Sequence, residues 1–411
     1  MASGVVEGKA AFGYPVSLRV IVEGGKIHMA TNSPTVNPGL DGIVAAQTRL
    51  SSVDGQAGEL IIAGFPVEEL ASKATFEEVV FLLWNDRLPN AQELADFNAA
   101  LVAQRPLPQV TLVLLYAAAA QKVDVMDALR MATSSISLRA PNSKAEQDLH
   151  PDALTLVARM PTMVAAYWRM LHGQEPLPPR PDLGHAANFL YILFGEEPDP
   201  ERTRGLETYL NAVVDHGMNA STFTARVIIS TQSDIISAIA GAIGALKGPL
   251  HGGAPGPALD MVFEIGEPSR AESYLRAKLE RDERLMGFGH RIYKVRDPRA
   301  DVLSAAAERF FRTSGDLALY ELARHVEQTA VRLLAEYKPG RRLDTNVEFY
   351  TALLLHGLGL PAELFTPTFA ISRVVGWTAH CFEQQALNRI IRPQSEYIGP
   401  KDRRWVPLEQ R

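Results

Sequence analysis

The sequence predicts a mainly α protein prefaced by short N-terminal β-hairpins. Three observations carry this. Alternation of apolar and polar residues is confined to the segment before about residue 63, apolar positions follow a helical period from Thr75 onward, and more than a dozen helix-length segments are separated by glycine, proline and capping residues. Tyr14–Met29 alternates around Glu23-Gly24-Gly25-Lys26, where paired glycines accept the positive φ of a tight turn, so a hairpin is expected there. A second hairpin is expected from Thr48–Val53 to Glu59–Ala63 around Asp54-Gly55.

Thr75-Phe76-Glu77-Glu78 then opens a helix. Threonine is the N-cap, Glu78 stands at capping-box spacing, and Phe76, Val79, Val80 and Leu83 share one face. Further helices are expected over Asn90–Ala103, Leu107–Ala120, Met126–Ile136, Pro151–Leu171, His185–Phe194, Pro200–His216 and Ser221–Ile229. In Asp234–Leu246 the residues Ala238, Gly241, Ala242, Gly244 and Ala245 leave little side-chain bulk beside an isoleucine stripe. That suits a helix in a central or interface position. Ala258–Phe263, Arg270–Asp282, Ala300–Phe311, Asp316–Glu336, Glu348–His356 and Thr366–Asn388 complete the set, followed by a Pro/Arg-rich tail.

At 411 residues the chain is long enough for a large core and more than one domain. A net charge near −6 gives no basic field for nucleic acid. The single cysteine, Cys381, excludes an internal disulfide framework, fits a reducing cytoplasm, and is expected as a small buried hydrophobe. The N-terminus lacks a signal-peptide pattern, and the longest apolar runs, Val110–Ala120 and Ile235–Leu246, are too short to span a bilayer. A cytoplasmic protein with no nucleic-acid or membrane partner is therefore expected. There is no dinucleotide fingerprint, Walker loop, G-x-S-x-G or H-E-x-x-H, and no metal-ligand spacing.

Chemistry concentrates in three stretches. KGPLHGGAP (Lys247–Pro255) carries His251, LMGFGHRIYKVRDPR (Leu285–Arg299) carries His290, and Asn346–Tyr350 supplies Glu348. Two imidazoles and a carboxylate on Gly/Pro-shaped turns make an acid/base set, and the flanking glycines are expected to bring backbone amides close to a ligand. His216, in DHGMNAST, sits between two helices where a ligand contact is natural, and His185 is an intermediate case at a helix start. His28, His150, His172, His325, His356 and His380 are expected to be structural. Arg299, Arg373 and Arg392 lie in apolar or turn-forming contexts. Each either forms a salt bridge, to Asp297 or Glu396, or belongs to a site for a di- or tricarboxylate. Lys294 is a candidate phosphate contact.

On these motifs the chain resembles the citrate synthases, in the short prokaryotic form that includes 2-methylcitrate synthases. The matching text runs from GLDGIVAAQTRLSSVDGQAGELIIAGFPVEELA through RPDLGHAANFLYIL, DHGMNASTF, KGPLHGGAP, GFGHRIYKVRDPR and TNVEFYTALLL to RIIRPQSEYIGP, about Gly39 to Pro400. The resemblance implies a two-domain, almost all-helical homodimer. Residues 1–255 and 362–411 would form the large domain and residues 256–361 a small mobile one. It implies condensation of acetyl-CoA with oxaloacetate and hydrolysis of the citryl thioester, with no cofactor, since acetyl-CoA is a substrate. Carried over by motif, Glu348 takes the methyl proton, His251 stabilises the enol, and His290 protonates the oxaloacetate carbonyl. His216, Arg299, Arg373 and a neighbouring subunit's Arg392 hold oxaloacetate, while Lys294, Gly287 and Gly289 face CoA.

One position departs from the family pattern, which usually has aspartate where Glu348 stands. The extra methylene displaces the carboxylate by about 1 Å, so either the backbone has adjusted or the enzyme is slow or specialised. The alternatives to a citrate synthase are a 2-methylcitrate synthase using propionyl-CoA and an idle homologue that senses oxaloacetate or CoA.

Overall fold

The computed structural model describes residues 4–9, 15–23, 26–30, 37–40, 42–137, 150–252, 255–290, 292–314 and 316–411, with backbone alone for the first three strands and Pro255. The chain divides into two compact units, Met1–Gln47 and Thr48–Arg411.

In the first unit, strands β1 (Gly4–Lys9), β2 (Pro15–Glu23) and β3 (Lys26–Ala30) form an antiparallel sheet in that order. Glu23 pairs with Lys26, the register of the expected hairpin; its turn residues Gly24 and Gly25 lie outside the described residues. β1 is an addition, pairing Gly4 with Val20 through Lys9 with Pro15. Two glycines in six residues give it a weak strand pattern, so pairing with β2 supplies what propensity does not.

The second unit opens with β4 (Ser51–Asp54) and β5 (Glu59–Ile62), the second expected hairpin, and a two-residue β6 (Phe65–Pro66). Helices follow to the end of the core: α1 (Val67–Lys73), α2 (Phe76–Asn85), α3 (Ala91–Gln104), α4 (Gln109–Ala120), α5 (Val125–Ser135), α6 (His150–Leu171), α7 (His185–Phe194), α8 (Pro200–Val213), α9 (Ala220–Ile229) and α10 (Ile235–Leu246). Then come α11 (Pro255–Ile265), α12 (Pro268–Glu280), α13 (Pro298–Ser314), α14 (Leu317–Tyr337), α15 (Val347–Gly357) and α16 (Phe365–Leu387). The mainly helical expectation therefore holds. α1 was not anticipated: seven residues are too few to display a period, yet Val67, Leu70 and Ala71 are buried. The helix expected to run to His216 stops at Val213, which leaves Asp215 and His216 on a turn.

Caps set several of these boundaries. The Thr75 hydroxyl accepts the Glu78 amide at 3.3 Å, and the Thr75 amide donates to Glu78 Oε2 at 2.7 Å. Asn90 and Glu93 repeat the reciprocal pair at the start of α3, and Asp234 caps α10. α16 is buried along most of its length and packs against α6, α8, α9 and α10. α10 is central as its composition suggested. A Cβ on Gly241 would stand 2.3 Å from Ile228 Cδ1, so the missing side chain lets α9 close in. α13 packs on both α15 and α8, and the far end of α15 is held to α8 by Arg202. Arg202 Nε and Nη2 both donate to the Leu358 carbonyl, at 2.9 and 2.7 Å, while its guanidinium lies 4.3 Å from the Phe194 ring. Among the described residues no helix is long and apolar enough to cross a membrane.

Thr75→Ala removes one half of a reciprocal cap and is expected to lower stability by about 1 kcal/mol, read as a reduced urea midpoint with an unchanged slope.

Candidate active site

The turn between α8 and α9 carries the first group. Asp215 is fully buried and is held from three sides: Ser51 Oγ and the Gly217 amide donate to Oδ2, and His380 Nε2 lies 3.2 Å from Oδ1. Gly376 of α16 makes room for this approach, because a Cβ there would stand 2.5 Å from the Val214 carbonyl and 2.7 Å from Asp215 Oδ1. So fixed, the turn presents His216, whose Nε2 is 3.1 Å from Tyr293 Oη. Its ring centroid is 5.8 Å from that of His290.

His290 takes two backbone donors on Nδ1, from the Ile292 and Tyr293 amides at 3.1 Å each. Nδ1 is therefore the acceptor nitrogen, and the proton of the neutral ring sits on Nε2, set to donate. Arg299, at the first turn of α13, makes a fork with Asp297: Nε to Oδ1 at 3.0 Å and Nη2 to Oδ2 at 2.8 Å. The salt-bridge alternative is thus real for Arg299, and the same guanidinium stays 6.0 Å from the Tyr293 ring, inside the cluster.

Arg373 is different. It is 2% exposed on α16, donates from Nε to the Val213 carbonyl at 2.8 Å, and lies 4.4 Å over the Phe369 ring. Among the described residues no carboxylate forms an ion pair with it. Burial pushes its pKa down to about 10, with Asp215 working in the opposite direction.

His251 follows α10. Its Nε2 is 2.7 Å from Ser221 Oγ, which also accepts from Trp377 Nε1 at 3.0 Å and donates to Asn219 Oδ1 at 2.8 Å. Gly252 has a packing role. A Cβ would stand 2.3 Å from the Leu246 carbonyl, so close packing against the end of α10 demands glycine. Gly253 and Ala254 of the same motif lie outside the described residues.

Glu348 sits in the first turn of α15, half-buried. Asn346 fixes that turn. Its side chain accepts the Glu348 amide at 3.0 Å and donates to the Gly289 carbonyl at 2.9 Å, and its own amide donates to the Gly287 carbonyl at 3.0 Å. Gly287 and Gly289 both have positive φ, and a Cβ on either would meet Phe349 or Leu343 at 2.9 Å. The Gly289 amide is taken by the Asp344 carbonyl at 2.8 Å, and the two glycines together shape the seat of α15. The Glu348 carboxylate makes no hydrogen bond or ion pair among the described residues.

Electrostatics unify the set. Burial, followed by nearby guanidinium charge, depresses all three histidines: His251 and His290 to about 4, and His216 well below its ordinary value. Arg373 acts on His251 and His216, and Arg299 on His216, His290 and Glu348. Burial raises the Glu348 pKa against the pull of Arg299 and Arg284, which makes it a better base. The His216 and His290 rings meet edge to face, while His251 shares with His216 the charge of Arg373, and Glu348 shares with His290 the charge of Arg299. Lys294 and Arg392 are exposed in this single chain, and the Lys294 charge adds to the depression of His290. Sequence reasoning missed Tyr293, Asp215, Ser221, Trp377 and Asn346, all lying in or beside the quoted motifs except Trp377. It also took His380 as merely structural. His380 accepts from Arg226 on Nδ1 at 3.0 Å, which leaves its ring proton on the side of Asp215.

These shifts fix the sign of one pH effect. A histidine whose folded pKa is depressed must charge when the chain unfolds in acid, so its stabilisation is full above about pH 6.5 and is lost as pH falls toward its folded value. For His251 and His290 the window runs down to about 4. The thermal midpoint is expected to drop across that window, and His290→Gln is expected to flatten the drop.

The chain is similar to known proteins over most of its length. The family model for the citrate synthase C-terminal domain matches residues 39–394. Citrate synthase 2 of Bacillus subtilis is 42% identical over 382 residues, covering 92% of this chain and 100% of the relative. A 2-methylcitrate synthase of Mycobacterium tuberculosis is 39% identical over 373 residues, covering 90% of this chain and 92% of the relative. The solved ternary complex of carboxymethyl coenzyme A and oxaloacetate with citrate synthase from Thermoplasma acidophilum superposes with a TM-score of 0.81 at 29% identity, covering 92% of this chain and 100% of that one. Matched over most of its length by the family model and by relatives well above 30% identity, the chain belongs to the citrate synthase family.

Proposed function

We propose that the protein condenses acetyl-CoA with oxaloacetate and hydrolyses the citryl thioester to citrate and CoA. The observation that carries this reading is Arg373, a buried guanidinium without a carboxylate of its own, grouped with Arg299, His216 and His290. Such a charge is costly to bury unless a ligand meets it, and a dicarboxylate does so.

Glu348 takes a proton from the acetyl methyl group while His251 hydrogen-bonds the thioester oxygen, because an unassisted carboxylate is too weak a base for that C–H. The enol carbon attacks the oxaloacetate carbonyl, and His290 Nε2 delivers its proton to the oxygen that becomes the citryl hydroxyl. Water then cleaves the thioester, releasing the CoA thiol. His216, Arg299 and Arg373 hold oxaloacetate, joined by Arg392 from a second copy of the chain. Lys294, Gly287 and Gly289 line the CoA side. Residues 256–361 move as a small domain against 1–255 and 362–411.

The similarity to a 2-methylcitrate synthase keeps propionyl-CoA as the second reading. The two acyl groups differ by one methylene, so the preference for acetyl-CoA in kcat/KM is expected to be about tenfold to two-hundredfold. Thiol release with each acyl-CoA, with and without oxaloacetate, measures it. A larger value for propionyl-CoA overturns the first reading, and ligand binding without turnover leaves the sensor. Glu348→Gln is expected to reduce kcat by about 10²–10⁴-fold. With a backbone adjusted to glutamate, Glu348→Asp is expected to lower kcat as well, by up to about 10²-fold. A gain for Glu348→Asp would show the turn to be uncompensated.

A further inference from the structure

We propose that Tyr293 is a positioning residue for the oxaloacetate site, fixing His216 through its hydroxyl and His290 through its backbone amide. The inference rests on the citrate synthase reading and names a residue that reading does not require. Tyr293 is 1% exposed, so its hydroxyl cannot be satisfied by bulk water. Its contact is His216 Nε2 at 3.1 Å. Its ring lies against both imidazoles, with centroids 5.6 Å from His216 and 4.8 Å from His290, and the Arg299 guanidinium is 6.0 Å from it.

One residue therefore touches three members of the set from three directions, and its two polar groups do different jobs. The amide donates to His290 Nδ1 at 3.1 Å and so helps to place the ring proton on Nε2, where the condensation consumes it. Any residue except proline supplies that amide. Among the described residues the hydroxyl's hydrogen-bond partner is His216. A lone buried imidazole rotates about its side-chain bonds. With Oη at Nε2 and Asp215 holding the turn beneath, the His216 ring has one orientation relative to Arg299 and Arg373. The backbone around Tyr293 is itself pinned, since the amide of Lys294 donates to the Gly55 carbonyl at 2.7 Å.

Because Tyr293→Phe keeps the ring and the amide, it isolates the hydroxyl. His216 interacts with substrate before and during the chemistry, so the loss falls on uniform binding. KM for oxaloacetate is expected to rise about tenfold, while kcat and KM for acetyl-CoA stay within about twofold. In a double-mutant cycle with His216→Asn, Tyr293→Phe is expected to add little. An unchanged KM for oxaloacetate in folded Tyr293→Phe overturns the proposal. So does full additivity with His216→Asn, or an equal rise in both KM values, which marks a structural role. Should Tyr293→Phe not fold, 3-fluorotyrosine at position 293 alters hydroxyl acidity and little else. It is expected to move KM for oxaloacetate by at least about twofold with Tm unchanged, and no movement overturns the proposal. Absence of thiol release from the wild-type protein would instead sink the citrate synthase reading itself.

Discussion

A buried guanidinium without a carboxylate partner governs this structure. Arg373 is nearly inaccessible, and the protein gives it a carbonyl, an aromatic face and a carboxylate acting only from a distance. An arrangement of this kind is unfavourable in isolation. Its charge acts on Asp215, His216 and His251. Burial, with the charge of Arg373 or Arg299 behind it, depresses the site histidines toward the neutral form, a hydrogen-bond donor and acceptor rather than a cation. A neutral imidazole can donate a hydrogen bond without forming an ion pair with a nearby carboxylate.

The rest of α16 organises what Arg373 requires. Arg373, Trp377, His380 and Gln384 recur at helical spacing on one side of the helix. Trp377 reaches His251 through Ser221, His380 reaches the His216 turn through Asp215, and Gln384 accepts from Arg226 at 3.1 Å. Glu383 ties the same network outward, accepting from Arg226 at 2.9 Å and from the Arg49 amide at 2.9 Å. Two of the candidate site histidines, His216 and His251, thus hang from a single buried helix, while His290 and Glu348 come from the segments around α13 and α15.

Much of this could be read from the amino acids. Caps such as Thr75, Asn90 and Asp234 mark helix starts because their side chains do local work that spacing reveals. His216, His251, His290 and Glu348 stood out through their flanking residues. What stayed hidden depends on contacts between distant segments. Nothing near Asp215 announces that His380 will meet it, and nothing near Gly376 announces that a turn far upstream must pass within van der Waals distance. The glycines carry a packing demand that their own sequence does not display: at Gly252, Gly287 and Gly289 the residues Leu246, Phe349 and Leu343 occupy the space a side chain would need. α1 and β1 were missed because elements that short are held by packing and pairing rather than by their own pattern.

The Arg202 grip on the Leu358 carbonyl makes α15 a lever. Its fulcrum lies against α8, and Glu348 rides the opposite tip, about 15 Å away along a helix that rises about 1.5 Å per residue. Pivoting by only about 4° sweeps the carboxylate through about 1 Å, the same distance that separates a glutamate from an aspartate. Reach lost or gained in the side chain is therefore interchangeable with a slight swing of the helix that bears it.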